Sequence, residues 1–64
     1  MNEKRAKILI IDDEESLHMV MEAIFEYYHF EIISAKDGQE GLEKAKEYKP
    51  DLIILDILAI YERL

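Results

Sequence analysis

Two short aliphatic runs, each ending on aspartate, constrain what this chain can fold into more than any other feature. Lys7-Ile8-Leu9-Ile10-Ile11 leads into Asp12-Asp13-Glu14-Glu15, and Leu52-Ile53-Ile54-Leu55 leads into Asp56. Neither run alternates apolar with polar residues. A strand with one wet face has to alternate, because successive side chains point to opposite sides. These two are therefore suited to burial on both faces, as in a parallel sheet covered by helices.

The intervening sequence has the helices that such a sheet requires. From Ser16 to Tyr28 the apolar residues fall at Leu17, Val20, Met21, Ile24, Phe25 and Tyr28, which is the spacing of one face of an α-helix. Asp13 or the acids after it can cap this helix and favour its positive end. His29-Phe30 is a short link, and Glu31-Ile32-Ile33-Ser34-Ala35 reads as a weaker strand suited to a sheet edge. Asp37-Gly38 is a turn signal, with Asp37 as N-cap. Gln39 to Tyr48 then reads as helix, with Leu42, Ala45 and Tyr48 on one stripe. Lys44, Lys46 and Lys49 crowd its negative end, and Pro50 stops it. The order is βαβαβ, α/β in class, one unit over residues 1–64. Residues 57–64 fit a short helix or a continued strand equally well.

In a doubly wound sheet of order 2-1-3 the first and third strands are neighbours, and ligands bind outside the carboxyl ends at that point of reversal. Strands about 4.8 Å apart would bring Asp12, Asp13 and Asp56 into one acidic pocket. Carboxylates crowded in this way raise one another's pKa unless a cation neutralises them. A hard divalent ion such as Mg2+ is the natural partner, and a carboxylate beside it can act as a nucleophile toward phosphorus. The plainer alternative is that Asp12 and Asp13 only cap a helix and Asp56 only ends a strand.

Three segments bear on that choice: Ile8-Leu9-Ile10-Ile11-Asp12-Asp13-Glu14, then Ala35-Lys36-Asp37-Gly38-Gln39-Glu40-Gly41-Leu42, then Lys49-Pro50-Asp51-Leu52-Ile53-Ile54-Leu55-Asp56. In this order and spacing they resemble the receiver domain of bacterial two-component response regulators, from residue 6 to about residue 58. The resemblance implies half of a flavodoxin-like doubly wound parallel sheet, strand order 2-1-3. It also implies transfer of a phosphoryl group from a histidine kinase or phosphotransfer protein, with Mg2+ or another divalent cation. By it Asp56 is the phospho-acceptor, Asp12, Asp13 and Asp56 hold the metal, and the backbone carbonyl of Leu58 is a further ligand. The chain would be a phosphorelay component and not an enzyme in its own right. After Leu58 it departs from the family, reading Ala59-Ile60-Tyr61-Glu62-Arg63-Leu64 with no Pro or Gly. The family's hydroxyl residue on strand four and lysine on strand five have no counterpart among these residues. The expectation is thus a receiver cut after its third strand, with phosphoryl transfer weakened.

Composition excludes several classes. A net charge of −7 disfavours binding to nucleic-acid phosphates or anionic lipid. No apolar stretch is long enough for a membrane span or signal peptide, and there is no cysteine. The chain reads as cytoplasmic, with neither nucleic acid nor membrane as partner. No glycine-rich phosphate loop follows the first strand, which argues against a nucleotide-binding protein. His18 and His29 are expected at the surface, and the four tyrosines are expected to pack. Gly38 opens a turn, and Gly41 lets its helix approach the sheet. A chain of about 60 residues buries only roughly 60% of its unfolded surface, and here the third strand leaves an apolar edge open to pairing. Completion by a homodimer through that edge is expected, with Ile60, Tyr61 and Leu64 at the interface. The competing function is a self-associating structural half-fold that signals nothing.

Overall fold

A computed structural model describes residues 4–55. Asp56, Leu58 and the tail 57–64, and with them the expected interface residues Ile60, Tyr61 and Leu64, lie outside the described residues. Five elements follow one another: β1 (Lys7–Ile11), α1 (Glu15–Tyr27), β2 (Glu31–Ala35), α2 (Gly38–Tyr48) and β3 (Leu52–Leu55). The strands form one parallel sheet in the order β2-β1-β3. This is half of a flavodoxin-like doubly wound fold. The three strands have the bounds expected from their apolar runs, and the helix bounds differ by one residue.

β1 is the central strand, paired with β2 on one side and β3 on the other. Ile8, Leu9, Ile10 and Ile11 are all buried. The chain goes out to β2 and returns across β1 to β3, and right-handed crossovers in opposite directions put α1 and α2 on opposite faces. Leu9, Ile11, Ile33 and Ala35 form the core on the α2 face, with Ala45 packed against them. Gly41 is the buried residue of α2. A Cβ there would collide with the Ile11 side chain, at 2.8 Å from Cγ1, so the glycine sets how close helix and strand can come.

The start of β1 is pinned on both sides. The Glu31 N–H donates to the Ala6 carbonyl, and the Asp51 N–H to the Lys7 carbonyl. The Lys7 N–H donates in turn to Asp51 Oδ2 at 2.7 Å. Asp51 thus fastens the entry of β3 to the entry of β1.

Both helices end on a non-glycine residue with positive φ. α1 closes in a Schellman arrangement: the Phe30 N–H donates to the Phe25 carbonyl, and the His29 N–H to that of Glu26. His29 sits at φ 68°, and Phe30 packs edge-on against Phe25 with ring centres 5.9 Å apart. α2 ends on Lys49 at φ 50°, directly before Pro50.

Three details differ from the sequence reading. The apolar stripe of α1 is wider than the surface it meets: Leu17, Met21 and Phe25 are half-buried, while Val20, Ile24 and Tyr28 are exposed. The α2 stripe is likewise turned, with Gly41 and Ala45 toward the sheet and Leu42 outward. Lys44 does not serve the helix end. It pairs with Glu40 at 3.1 Å and donates to the Ser34 carbonyl at 2.7 Å.

Candidate functional site

The carboxyl end of β1 is where apolar sequence gives way to acid, and there Asp12 is fixed at three points. Its N–H donates to the Ala35 carbonyl at 3.0 Å, continuing the β1–β2 ladder by one residue. Its Oδ1 accepts from the Glu14 N–H at 2.8 Å. Its carbonyl oxygen lies 2.6 Å from His18 Nε2. Asp12 is the one buried charged residue among those described, at 6% exposure. Asp13 follows it and is exposed. Neither acts as the side-chain cap of α1. Of the acids expected to cap, Asp13 or those after it, Glu14 takes the N-cap position but makes no side-chain capping bond, and the Asp12 carboxylate reaches forward to the Glu14 N–H. That places a negative group at the positive end of α1.

Asp12 and Asp13 line an open cleft of about 520 Å³. Its walls come from the ends of β1 and β2, the first half of α1 and the start of α2, and His18, Glu22, Lys36 and Glu40 line it together with the acidic pair. No residue of β3 lines this cleft; it lies on the β2 side of Asp12. On the other side β1 pairs with β3, and Ile11 stands opposite Leu55. Asp12 and Asp56 are the residues that follow those two in the sequence. Asp56 and Leu58 themselves lie outside the described residues, and among the described residues no three acidic, histidine or cysteine side chains gather closely enough to hold a metal ion.

The α2 side of the cleft is built by two bonds around the start of the helix. Asp37 Oδ1 accepts from the Glu40 N–H at 2.9 Å, and Glu40 Oε1 accepts from the Lys36 N–H at 2.8 Å. That backbone bond, and then the Lys44 ammonium, hold the Glu40 carboxyl below the usual carboxylate range. Asp37 is the N-cap expected from Asp37-Gly38. His18 is the residue that sequence reasoning missed. It was expected at the surface and is half-buried with its ring on the Asp12 carbonyl. The available signal was directional: helical side chains lean toward the helix N-terminus. A residue of the first full turn after a strand therefore reaches back over that strand's end.

A doubly wound parallel sheet with paired aspartates closing its central strand defines a class of acidic-site α/β domains. Residues 8–58 match the family described as the response regulator receiver domain, and the chain belongs to that family. It is 46% identical over 52 residues to the alkaline phosphatase synthesis transcriptional regulatory protein PhoP of Bacillus subtilis, covering 81% of this chain and 22% of that protein. It is 38% identical over 52 residues to the response regulator ArlR of Staphylococcus aureus, covering 81% and 24%. It is also 40% identical over 57 residues to a protein-glutamate methylesterase/protein-glutamine glutaminase of Geobacter metallireducens, covering 86% and 16%. The chain thus spans less than a quarter of the length of these relatives. Among the described residues no helix is long and apolar enough to cross a membrane.

Proposed function

We propose that this chain is the N-terminal part of a receiver that accepts a phosphoryl group on Asp56 from a histidine kinase or phosphotransfer protein. Asp12, Asp13, Asp56 and the Leu58 carbonyl would hold Mg2+ or another divalent cation. The observation that carries the reading is the parallel pairing of β1 with β3, in which Ile11 and Leu55 are partners and each is followed by aspartate. Asp12 and Asp13 fit such an ion chemically. Both offer hard carboxylate oxygens, and Asp12 keeps Oδ2 outside its bond to Glu14. A bound divalent cation supplies charge neutralisation for the phosphoryl oxygens.

In the transfer, an Asp56 carboxylate oxygen bonds to phosphorus as the bond from phosphorus to the donor's imidazole nitrogen breaks. The nitrogen keeps the electron pair and is reprotonated. With acetyl phosphate and Mg2+, intact mass should rise by one phosphoryl group in the unchanged chain and not in Asp56→Asn. No mass increase in a folded chain, or an increase that survives Asp56→Asn, refutes the assignment.

A second reading is favoured by the apolar surface of β3, where Leu52, Ile53 and Leu55 are about half exposed. On this reading the chain self-associates through the third-strand edge as a homodimer, by antiparallel β3–β3 pairing about a two-fold axis, and carries no signal. The net charge of −7 disfavours nucleic-acid and anionic-membrane partners under either reading, and cytoplasmic placement is the expectation that accompanies a receiver.

A further inference from the structure

His18 has a role that neither the fold nor the family match assigns. Its Nε2 lies 2.6 Å from the Asp12 carbonyl oxygen. A carbonyl can only accept, so Nε2 carries the proton and donates. The other ring nitrogen, Nδ1, is buried with no hydrogen-bond partner among the described residues. The ring is therefore held by one bond, made to the peptide group that joins Asp12 to Asp13. That bond fixes the plane of the peptide, and the plane sets the direction in which both residues leave the end of β1. The other two bonds of Asp12, to Ala35 and Glu14, hold its N–H and its carboxylate. Neither of them holds the peptide that leads to Asp13.

We propose that His18 is a positioning residue for the acidic pair: by clamping the Asp12–Asp13 peptide from α1 it pre-sets the two carboxylates for a divalent cation. This rests on the metal reading given above. Groups that orient a metal's ligands without touching the metal commonly change affinity when removed, and preorganisation of this kind acts through the ligands' geometry. Glutamine offers a close substitute, since its amide nitrogen stands the same number of bonds from Cα as Nε2. Leucine keeps the bulk and removes the donor.

The test uses the 64-residue chain with Mn2+ alone as probe, followed by electron paramagnetic resonance, together with 15N spectroscopy of the His18 ring at a pH where it is neutral. The expected ring signature is a single tautomer protonated on Nε2. His18→Leu should weaken Mn2+ binding roughly three- to tenfold, the effect of one lost hydrogen bond. His18→Gln should stay within about twofold of the unchanged chain. A role limited to folding would lower the melting temperature of His18→Leu and leave the affinity of its folded form unmoved, which overturns the proposal. An Nδ1-protonated ring, or failure of His18→Gln to restore binding, also overturns it. If the unchanged chain binds no Mn2+, the metal reading itself falls and the role of His18 toward it falls too. Binding that survives His18→Leu removes only the role of His18.

Discussion

His29 occupies a position that the backbone reserves for glycine. With φ at 68° it is the left-handed residue closing α1, and a Cβ in that region costs about 1–2 kcal/mol. The double bond pattern back to Phe25 and Glu26 and the Phe30–Phe25 contact hold it there. His29→Gly should raise stability by about 0.5 kcal/mol, the relief being partly offset by the freer unfolded chain. In a domain this small that is a melting temperature roughly 2–4 °C higher, and an unchanged or lower value refutes it. This stop was only half legible in the sequence: His29-Phe30 marked a link, but without glycine nothing announced the motif. The same holds for His18, whose polar character suggested solvent and whose position over the strand end decided otherwise. Glu40 behaves more predictably. Its carboxyl is held low by the Lys36 N–H and then by Lys44, so the folded form binds its proton less readily than the unfolded chain does. The stability it contributes is complete above the ordinary glutamate value of 4.5 and is lost as pH falls through the lower folded value. Glu40→Gln should therefore flatten part of the acid limb of a stability–pH curve below that value and leave its shape at neutral pH unaltered. An acid limb identical to that of the unchanged chain removes this assignment.

At the scale of elements, the strands were readable because burial on both faces leaves an unmistakable run of aliphatic residues. The bounds of β1, β2 and β3 follow from the runs themselves. The order β2-β1-β3 is the one the resemblance implies; the residues of Glu31–Ala35 themselves only suited that strand to an edge. Helix orientation was less readable. Val20 and Ile24 lie on the same sequence stripe as Leu17, Met21 and Phe25, yet a three-stranded sheet is too narrow to cover them all. Gly41 was readable as a close approach, and the structure identifies its partner as Ile11. The two effects of Gly41→Ala oppose one another. A helix interior gains about 1 kcal/mol when alanine replaces glycine, whereas forcing a methyl into packed side chains costs about 1–3 kcal/mol. Because the collision involves Cγ1 as well as the end of the Ile11 side chain, the cost should win, with a net loss of about 1 kcal/mol. Ile11→Val removes Cδ1 but leaves Cγ1 at 2.8 Å, so in that background the cost of Gly41→Ala should shrink without vanishing. A denaturation double-mutant cycle measures this coupling, and simple additivity of the two changes would show that Ile11 is not the obstacle.

At the scale of the whole molecule, the sheet has two edges with different chemistry. The β2 edge is guarded: Lys44 from α2 donates to the Ser34 carbonyl, and a lysine at an edge discourages pairing with another chain. β3 pairs with β1 alone among the described residues and exposes Leu52, Ile53 and Leu55 to 53%, 47% and 42%. Apolar residues half in water on an open edge favour association. The net charge of −7 on each chain opposes it. Salt decides between the two, because it screens the repulsion and leaves the hydrophobic contact in place. The screening distance falls from about 30 Å at 0.01 M to about 8 Å at 0.15 M ionic strength. If β3 is the contact, sedimentation of the 64-residue chain should show a dimer that tightens over that range of salt. Ile53→Lys should shift it toward monomer, since a charge placed in the middle of the edge must be desolvated to pair. Leu42→Lys on the outer side of α2, somewhat more exposed than Ile53 and carrying the same added charge, should leave the dimer in place. That control separates strand pairing from a general charge effect. A chain that sediments as a monomer at all salt concentrations, or a dimer indifferent to Ile53→Lys, would show that the β3 edge is not the surface through which copies meet.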